Sequence, residues 1–239
     1  MNQERRKQIL ELLLKEKRVA VKDLAERLYT SEPSIRRDLA DLEKQKLLRR
    51  IHGGAVLEEH SDSYLKIPFL LRELEQPDAK SIIAKQAIEL VNDGDTIMLD
   101  ASSSAYALIP LLAQKNNLTV ITSGVKALVR LAEYGINAYS TGGHLLPSCL
   151  SLTEEDSHSM LSHYNADICF FSSRGISPTG MITDISIEEN LVRKRMIGQS
   201  RRSVLLCASE KFNKTYLHNL CHVRNIDLVL SETDVPEWN

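Results

Sequence analysis

The sequence predicts two folded parts of different class, a winged helix-turn-helix over residues 1–57 and a mainly parallel α/β domain over residues 80–239. In the first part, apolar residues with helical spacing are followed by a short hairpin pattern around a Gly-Gly pair. In the second part, short apolar strands alternate with helical stretches. The two parts also differ in charge, since residues 1–57 hold 14 Lys and Arg against 9 Asp and Glu, while residues 58–239 hold 16 against 23. A basic module attached to an acidic one indicates two different partners.

The composition is that of a globular protein, with 239 residues of which 43% are hydrophobic and 26% are charged. Disordered and collagen-like classes are therefore excluded. No apolar stretch approaches the roughly 18 residues of a membrane helix. The charged start MNQERRKQILELLLKEK is unlike a signal peptide, so we expect a cytoplasmic protein that needs no membrane. The four cysteines, Cys149, Cys169, Cys207 and Cys221, form no CxxC pair, so a disulfide framework is not expected. Cys169 and Cys207 lie in apolar runs and are expected to be reduced and buried.

Apolar spacing predicts three helices in the first part. The residues that define them are Ile9, Leu10, Leu13 and Leu14 in the first, Val21, Leu24, Ala25 and Leu28 in the second, and Ile35, Leu39 and Leu42 in the third. The second helix stops at Thr30, and Ser31 is placed to cap the third helix, which tolerates Pro33 in its first turn. Two helices joined by a tight turn form a helix-turn-helix, whose second helix enters the major groove of double-stranded DNA.

The segment LLRRIHGGAVLE predicts two short strands around Gly53 and Gly54. This hairpin follows the third helix directly, as the wing of a winged helix does. Arg49, Arg50 and His52 lie at the approach to its tip.

The run SIRRDLADLEKQKLLRRIHGGAV, together with VKDLAERL before it, resembles the winged helix of DeoR/GlpR-type bacterial transcription regulators. The family usually has a small aliphatic residue and a threonine where this chain has Thr30 and Ser34. The resemblance implies DNA contacts by Ser31, Ser34, Arg36, Arg37, Arg50 and His52. Arg37 and Ser34 are the candidates for base edges, and the wing residues are candidates for phosphates. The alternative is that these cations form only a solvated helix face.

Residues 58–79 lack periodicity and contain Pro68 and Pro77. This composition predicts a linker with one short helix, and places the domain boundary there.

Alternation of strands and helices in the second domain predicts a mainly parallel sheet covered by helices. The predicted strands are TIMLD, LTVITS, NAYSTGG, ADICFFSS, SVLLCAS and DLVLSE, and the predicted helices lie near 80–92, 102–115, 124–134, 152–163 and 187–200. Such sheets bind ligands at the carboxyl ends of their strands. The residues that follow these strands are small or polar, notably 100–104, 122–124, 141–143 and 209–211. Free N–H groups, hydroxyls and a lysine there predict a phosphate cradle, although serines also cap helices everywhere.

The same domain resembles the carboxyl-terminal sensor domain of DeoR-type regulators. The resemblance is carried by segments in the family's order and spacing, among them 93–100, 118–122, Gly142-Gly143, Glu189, Met196 and Lys211-Phe212. That family domain is related in fold to ribose-5-phosphate isomerase and sugar-phosphate deaminases, and generally binds a phosphorylated sugar or sugar alcohol. The resemblance implies an effector site at Asp100, Ser102, Ser103, Ser104, Ser123, Gly143 and Lys211.

Four departures from the family pattern fall at that site. Ala101 replaces a glycine or small polar residue, Glu154 a glycine, and Ala208 a common aspartate, while Arg174 stands where an acidic or small residue is usual. A glutamate would repel a phosphate, whereas an arginine would attract it. We therefore hypothesise that Arg174 contacts an anionic effector; the alternative is an ordinary exposed arginine.

Two function classes follow from these residues. The first is a repressor of a carbohydrate-utilisation operon, controlled by a phosphorylated sugar and acting as a homodimer or homotetramer. The second is an isomerase or deaminase with a DNA-binding head, for which Asp100, Glu154, Glu189 and Lys211 would be the acid and base candidates. The regulator is favoured, and neither a cofactor nor a metal is expected. The pair His218 and His222 in HNLCH has a possible zinc spacing, but a full ligand set is lacking.

Overall fold

A computed structural model describes residues 2–57, 68–153 and 160–238. These residues form two compact units. The first unit holds residues 2–57 together with Leu70–Glu75, and the second holds residues 68–69 and the described residues from Gln76 onward. None of the helices in these ranges is long and apolar enough to cross a bilayer.

The first unit contains the three predicted helices and the predicted hairpin. Its elements are α1 (Asn2–Glu16), β1 (Arg18–Ala20), α2 (Val21–Arg27), α3 (Glu32–Lys44), β2 (Arg49–Ile51) and β3 (Gly54–Val56). The strands pair antiparallel in the order β1-β3-β2, so the wing hairpin gains a third strand that the sequence did not predict. The three residues of Arg18–Ala20 are too few to be distinguished from a loop by their pattern.

An apolar core and a buried carboxylate hold α1 against α3. Ile9, Leu13 and Ile35 are completely buried. Asp38, on the same side of α3, is 2% exposed and accepts hydrogen bonds from the guanidinium groups of Arg5 and Arg6. Because a buried carboxylate is stable only when it is paired, this cluster fixes the position of α3 on α1.

The predicted cap of α3 is only partly correct. The helix starts directly after Ser31 and has Pro33 in its first turn, as predicted. The Ser31 side chain accepts no helix N–H, however; its backbone carbonyl accepts the N–H groups of Ser34 and Ile35 at 3.0 and 3.1 Å. The Ser31 and Ser34 hydroxyls lie 3.0 Å apart instead. Both hydroxyl groups therefore stay at the surface of the amino-terminal end of α3.

The described part of the predicted linker contains helical structure. The short helix α4 (Phe69–Leu74) lies within it, and α5 (Pro77–Ile88) begins three residues before residue 80. Residues 58–67 of the predicted linker lie outside the described residues.

The second unit is built on the predicted parallel sheet. Its strands and helices are β4 (Thr96–Leu99), α6 (Ser103–Leu112), β5 (Thr119–Thr122), α7 (Val125–Glu133), β6 (Asn137–Ser140), β7 (His144–Leu146), β8 (Ser151–Thr153), β9 (Ala166–Phe171), β10 (Gly175–Ile176), β11 (Met181–Asp184), α8 (Ile187–Gly198), β12 (Ser200–Leu206), β13 (His218–His222) and β14 (Leu228–Leu230). Six strands pair in the order β14-β12-β9-β4-β5-β6, and every pairing between them is parallel.

Alternate residues of the strands build a core on each face of this sheet. In β4, Ile97 and Leu99 pack on one face with apolar residues of α5 and α6, whereas Met98 packs on the other face with Val192 and Met196 of α8. This period of two is the geometry of an extended strand. Because apolar residues cover both faces of the sheet, its polar side chains lie at the carboxyl edge.

Two parts of this unit differ from the sequence prediction. The strands β10, β11 and β13 form a separate antiparallel sheet, which the sequence did not indicate. The helix predicted over 152–163 is wrong, because β8 pairs with β7 and the residues Met160–His163 form a single 3₁₀ turn. Residues 154–159, including Glu154, lie outside the described residues.

Candidate DNA-binding surface and effector site

The exposed side of α3 carries two arginines with different surroundings. The Arg36 guanidinium is 2.6 Å from the Glu32 carboxylate, one turn earlier in the helix. Arg37 donates only a long hydrogen bond of 3.5 Å to the Pro33 carbonyl and makes no ion pair with any described residue. Arg37 is therefore the α3 arginine that can bind an external anion or base without giving up an internal carboxylate partner.

The wing is attached to the end of α3 by Arg50. Its guanidinium and its backbone N–H each donate to the Glu43 carboxylate at 2.8 Å. These hydrogen bonds hold the pKa of Glu43 below its ordinary value, so the carboxylate stays ionised. Arg49 and His52 are both exposed beside it, and Arg49 has no ion pair within the described ranges. Arg49 is therefore a further cation of the wing, and it is not among the DNA contacts predicted from the sequence.

The predicted effector residues all follow parallel strands that are neighbours in the sheet. Lys211 follows β12, Arg174 follows β9, and Asp100 follows β4; Ser123 and Gly143 come after β5 and β6. Because parallel strands end at the same edge, these residues lie along the carboxyl edge, as predicted.

The start of α6 presents hydroxyl groups at this edge. Ser102 caps the helix, because its hydroxyl accepts the Ala105 N–H at 3.1 Å. Ser103 and Ser104 are 7% and 2% exposed, and their hydroxyls have no hydrogen-bond partner among the described residues. A helix start with free donors is suited to bind an anion.

Asp100 holds the loops of this edge together. It is 2% exposed, and its carboxylate accepts the N–H groups of Ser102 and Ser172 at 3.1 and 3.2 Å and the Nε–H of Arg193 at 2.9 Å. Its two oxygens are thus occupied by the protein itself. Asp100 positions the residues around the site, and is poorly placed to act as a free acid or base.

Arg193, which the sequence prediction missed, is the centre of a buried ionic cluster. Its side chain is 4% exposed, with Nη1 2.8 Å from the Asp184 carboxylate and Nη2 3.8 Å from that of Glu189. Burial disfavours the charged guanidinium, but the carboxylates of Asp184, Asp100 and Glu189 outweigh burial, and the pKa of Arg193 is raised. One feature of the sequence could have indicated that Arg193 is buried. It directly follows Val192, which lies on the apolar face of α8.

Lys211 and Arg174 are two cations at the edge itself. The Lys211 ammonium donates to the Ser172 hydroxyl at 2.8 Å, and that hydroxyl donates to the Leu206 carbonyl at 2.7 Å. Arg174 is half-buried and has no hydrogen bond or ion pair with the described residues. These two side chains come from the loops after β12 and β9, which are adjacent strands, so an anion at this edge would meet both loops.

Two of the departures from the family pattern are packed into the interior. Ala101 is 3% exposed and Ala208 is 2% exposed. A Cβ on Gly124 would lie 3.3 Å from the α-carbon of Ala101, so the loops after β4 and β5 approach each other closely. These alanines are therefore buried beneath the carboxyl edge of the sheet, and their side chains supply no polar contacts.

The cysteines and the HNLCH segment indicate neither nucleophilic nor metal chemistry. Burial raises the pKa of the Cys207 thiol to about 11 and that of Cys221 also to about 11, so both stay protonated at neutral pH. The HNLCH segment is strand β13, which separates His218 from His222 by roughly 13 Å, so the two imidazoles do not share a helix face as the possible zinc spacing assumed. His222 lies 2.7 Å from the Thr179 carbonyl. No group of three or more potential metal ligands occurs within the described residues.

Comparisons with known proteins match both parts of the chain. Residues 5–61 match the DeoR-like helix-turn-helix domain, and residues 75–233 match the DeoR C terminal sensor domain. The HTH-type transcriptional regulator GolR of Listeria innocua is 30% identical over 97% of this chain and 91% of its own length. The lactose phosphotransferase system repressor of Staphylococcus epidermidis is 29% identical over 95% of this chain and 90% of its own.

Solved structures are similar to part of this chain. The eIF2B delta structure from Chaetomium thermophilum has a TM-score of 0.52 at 18% identity and covers 70% of this chain and 62% of that one. Ribose 5-phosphate isomerase A of Methanocaldococcus jannaschii is also similar, with a TM-score of 0.43, 20% identity and coverage of 56% and 53%.

A helix-turn-helix unit joined to a parallel α/β sensor unit defines the class of two-domain transcription regulators. Within that class, this chain belongs to the DeoR family. Members of the family are regulators and not enzymes, so the isomerase or deaminase alternative is not favoured.

Proposed function

We propose that this protein represses a carbohydrate-utilisation operon, binding operator DNA through α3 and the wing and releasing it when a phosphorylated sugar or sugar alcohol binds the second domain. Residues 1–57 form the DNA-binding domain in this proposal, residues 58–79 the linker and residues 80–239 the effector domain. A homodimer or homotetramer in the cytoplasm would present paired winged helices to operator half-sites.

The observation that carries the DNA part of the proposal is the Arg37 guanidinium on the exposed side of α3, which has no carboxylate partner among the described residues. It lies one turn from Ser34, whose hydroxyl is also at the surface, and the wing supplies Arg50 and His52. An arginine that can approach base edges with both terminal nitrogens is the commonest specific contact to guanine. Arg36 and Arg50 are paired with Glu32 and Glu43 within the protein, and we assign them to phosphate contacts rather than to base edges.

The effector part rests on the cations and the helix start at the carboxyl edge. Lys211 and Arg174 lie on adjacent loops, and α6 begins beside Asp100, which binds the N–H of Ser172. The lactose phosphotransferase system repressor, which is similar to this chain over most of its length, is named for a lactose system. A phosphorylated sugar supplies the anion for such an edge.

Replacing Arg37 with alanine is expected to weaken operator binding by about 5- to 150-fold, because a lost guanidinium contact to a base is worth about 1–3 kcal/mol. Fluorescence anisotropy with a labelled duplex from the region upstream of the gene measures the affinity of the full chain. Lys7→Ala is a matched control, since it removes one exposed charge from α1. Equal losses in the two variants would show that Arg37 contributes only general charge and no specific contact.

Lys211→Ala is expected to abolish the stabilisation that an effector gives. At about 100 times its dissociation constant a ligand adds roughly 2.7 kcal/mol of stability, which for a chain of this length raises the melting temperature by about 5–10 °C. The measurement is a thermal melt of the full chain with a panel of sugar and sugar-alcohol phosphates. Trp238, the only tryptophan, provides a second signal because its ring lies 5.8 Å from that of Phe212, next to Lys211.

Arg174→Ala tests the hypothesis about this residue with the same compounds. A weaker shift for the compound that stabilises the wild type is the expected result, whereas an unchanged shift would leave Arg174 outside the site. Turnover of any of these compounds by the purified protein would contradict the proposed function and support the enzyme alternative.

A further inference from the structure

The helices of the winged helix are followed by residues with left-handed backbone that are not glycine. Lys17 follows α1 with φ +64°, Tyr29 follows α2 with φ +48°, and Lys46 follows α3 with φ +57°. Glycine is the usual residue at such positions because it has no Cβ to clash with the backbone. A bulky aromatic side chain in this conformation is rare and strained. Tyr29 is therefore the residue that fits its backbone least well.

Hydrogen bonds fix this backbone conformation in the turn between α2 and α3. The Tyr29 N–H donates to the Glu26 carbonyl at 3.3 Å, and the Thr30 N–H donates to the Ala25 carbonyl at 3.0 Å. These bonds close the end of α2 and direct the chain into α3. The turn therefore requires a left-handed backbone at position 29, but it does not require a tyrosine side chain there.

The tyrosine ring gains no compensating contact from the described part of the chain. Tyr29 is 97% exposed, more than any other large hydrophobic side chain in the described ranges. Its hydroxyl makes no hydrogen bond and its ring makes no stacking contact with the described residues. Strain that the fold does not compensate points to a function of the side chain.

The position of Tyr29 indicates what that function is. It lies two residues before Ser31 and three before the start of α3, so the α-carbons of Tyr29 and Ser31 are within about 7 Å of each other. In a helix-turn-helix, the first residues of the second helix enter the major groove while the first helix crosses the sugar-phosphate backbone. The turn between the two helices therefore faces the edge of the groove. A phenol there has a hydroxyl donor for a phosphate oxygen.

We propose that Tyr29 is a DNA-contacting residue whose hydroxyl donates a hydrogen bond to a backbone phosphate at the edge of the groove that α3 enters. This inference rests on the proposed DNA-binding function. Tyr29 lies in the turn and is not among the DNA contacts that the sequence predicted, which are Ser31, Ser34, Arg36, Arg37, Arg50 and His52. Because the phenol is neutral, the contact adds affinity without releasing a counterion.

The test uses the full chain and a labelled random-sequence duplex, because a phosphate contact does not depend on sequence. Tyr29→Gly is expected to melt about 2–4 °C higher than the wild type, since glycine relieves the strain, and yet to bind DNA about 10-fold more weakly. Tyr29→Phe is expected to keep the wild-type melting temperature and to lose most of the same affinity. Lys17→Gly is the control for strain relief at the end of a helix away from the turn, and should melt higher without a comparable loss of affinity.

Salt dependence separates this inference from the proposed function. Tyr29→Gly should leave the slope of log affinity against log salt unchanged, whereas Arg50→Ala should reduce its magnitude by about 1. A Tyr29→Gly variant that binds DNA as the wild type does would overturn the inference while leaving DNA binding intact. A Tyr29→Phe variant with full affinity would also overturn it, because the hydroxyl would then be unnecessary. Failure of the wild type itself to bind duplex DNA would instead contradict the proposed function.

Discussion

Arg193→Met is expected to destabilise the second unit by about 3–5 kcal/mol. Removing one partner of a buried ionic cluster leaves the remaining charges without compensation, which is more costly than the loss of the attraction alone. The carboxylates of Asp100 and Asp184 lie 2.9 and 2.8 Å from the Arg193 guanidinium, and both are almost fully buried. Urea denaturation of the full chain, followed by the fluorescence of Trp238, measures the change.

The cluster also links the two sheets of the second unit next to the proposed effector site. Asp100 follows β4 in the parallel sheet, and Asp184 ends β11 in the antiparallel sheet, so Arg193 connects the two sheets. Arg193→Lys keeps the positive charge but lacks the planar guanidinium that binds carboxylates with two nitrogens. We expect it to give an intermediate loss of stability. Arg201→Met is the matched control, because Arg201 is 85% exposed and its ion pair with Asp167 is worth little. Similar losses for Arg193→Met and Arg201→Met would show that the buried cluster does not hold the sheets together.

Gly54→Ala is expected to destabilise the winged helix by about 3 kcal/mol and to weaken duplex binding with it. A Cβ at this position would lie 2.1 Å from the Val19 carbonyl oxygen, which belongs to the backbone and cannot move aside as a side chain can. Gly54 pairs with Ala20 of β1 and with Ile51 of β2, so both pairings of the wing are affected. Overpacking of this kind costs about 1–3 kcal/mol, with backbone clashes at the upper end.

Gly53→Ala is the comparison that isolates the clash. Gly53 has φ +76°, but no atom of the described residues lies within 4 Å of a Cβ added there, so only backbone strain of about 1 kcal/mol is expected. Urea denaturation followed by far-UV circular dichroism, together with anisotropy on duplex DNA, distinguishes the two variants. If the two glycines gave equal losses, the close approach of β1 and β3 would not be what requires Gly54.

Patterns with a fixed period were predicted well from the sequence. The apolar spacing of Ile35, Leu39 and Leu42 located α3, and the alternation of strands and helices located the parallel sheet, because both patterns are set by local geometry. The rule that ligands bind at carboxyl edges then placed Lys211, Arg174 and Asp100 along one edge. That these residues bind an effector stays a prediction.

Structure that depends on distant pairing was predicted poorly. The strand β8 was predicted as part of a helix because its pairing with β7 cannot be recognised in so short a segment. The antiparallel sheet was missed because β10 has only two residues and β13 is about 40 residues from its partner β11. Pairings between strands far apart in the chain leave little local signal.

By itself, the sequence determined the class of each domain, their order and the edge of the sheet where polar residues collect, because these follow from periodicity and residue type. Only the tertiary structure decided which charged groups are free to bind a ligand and which are already paired with other groups of the protein. Arg36 and Arg37 are adjacent in the chain, yet one is paired with Glu32 and the other has no carboxylate partner among the described residues. Asp100 is engaged by Arg193, which lies 93 residues away. The physical reason is that the charge available to a ligand depends on partners brought together by folding, and on the burial that makes those partners necessary.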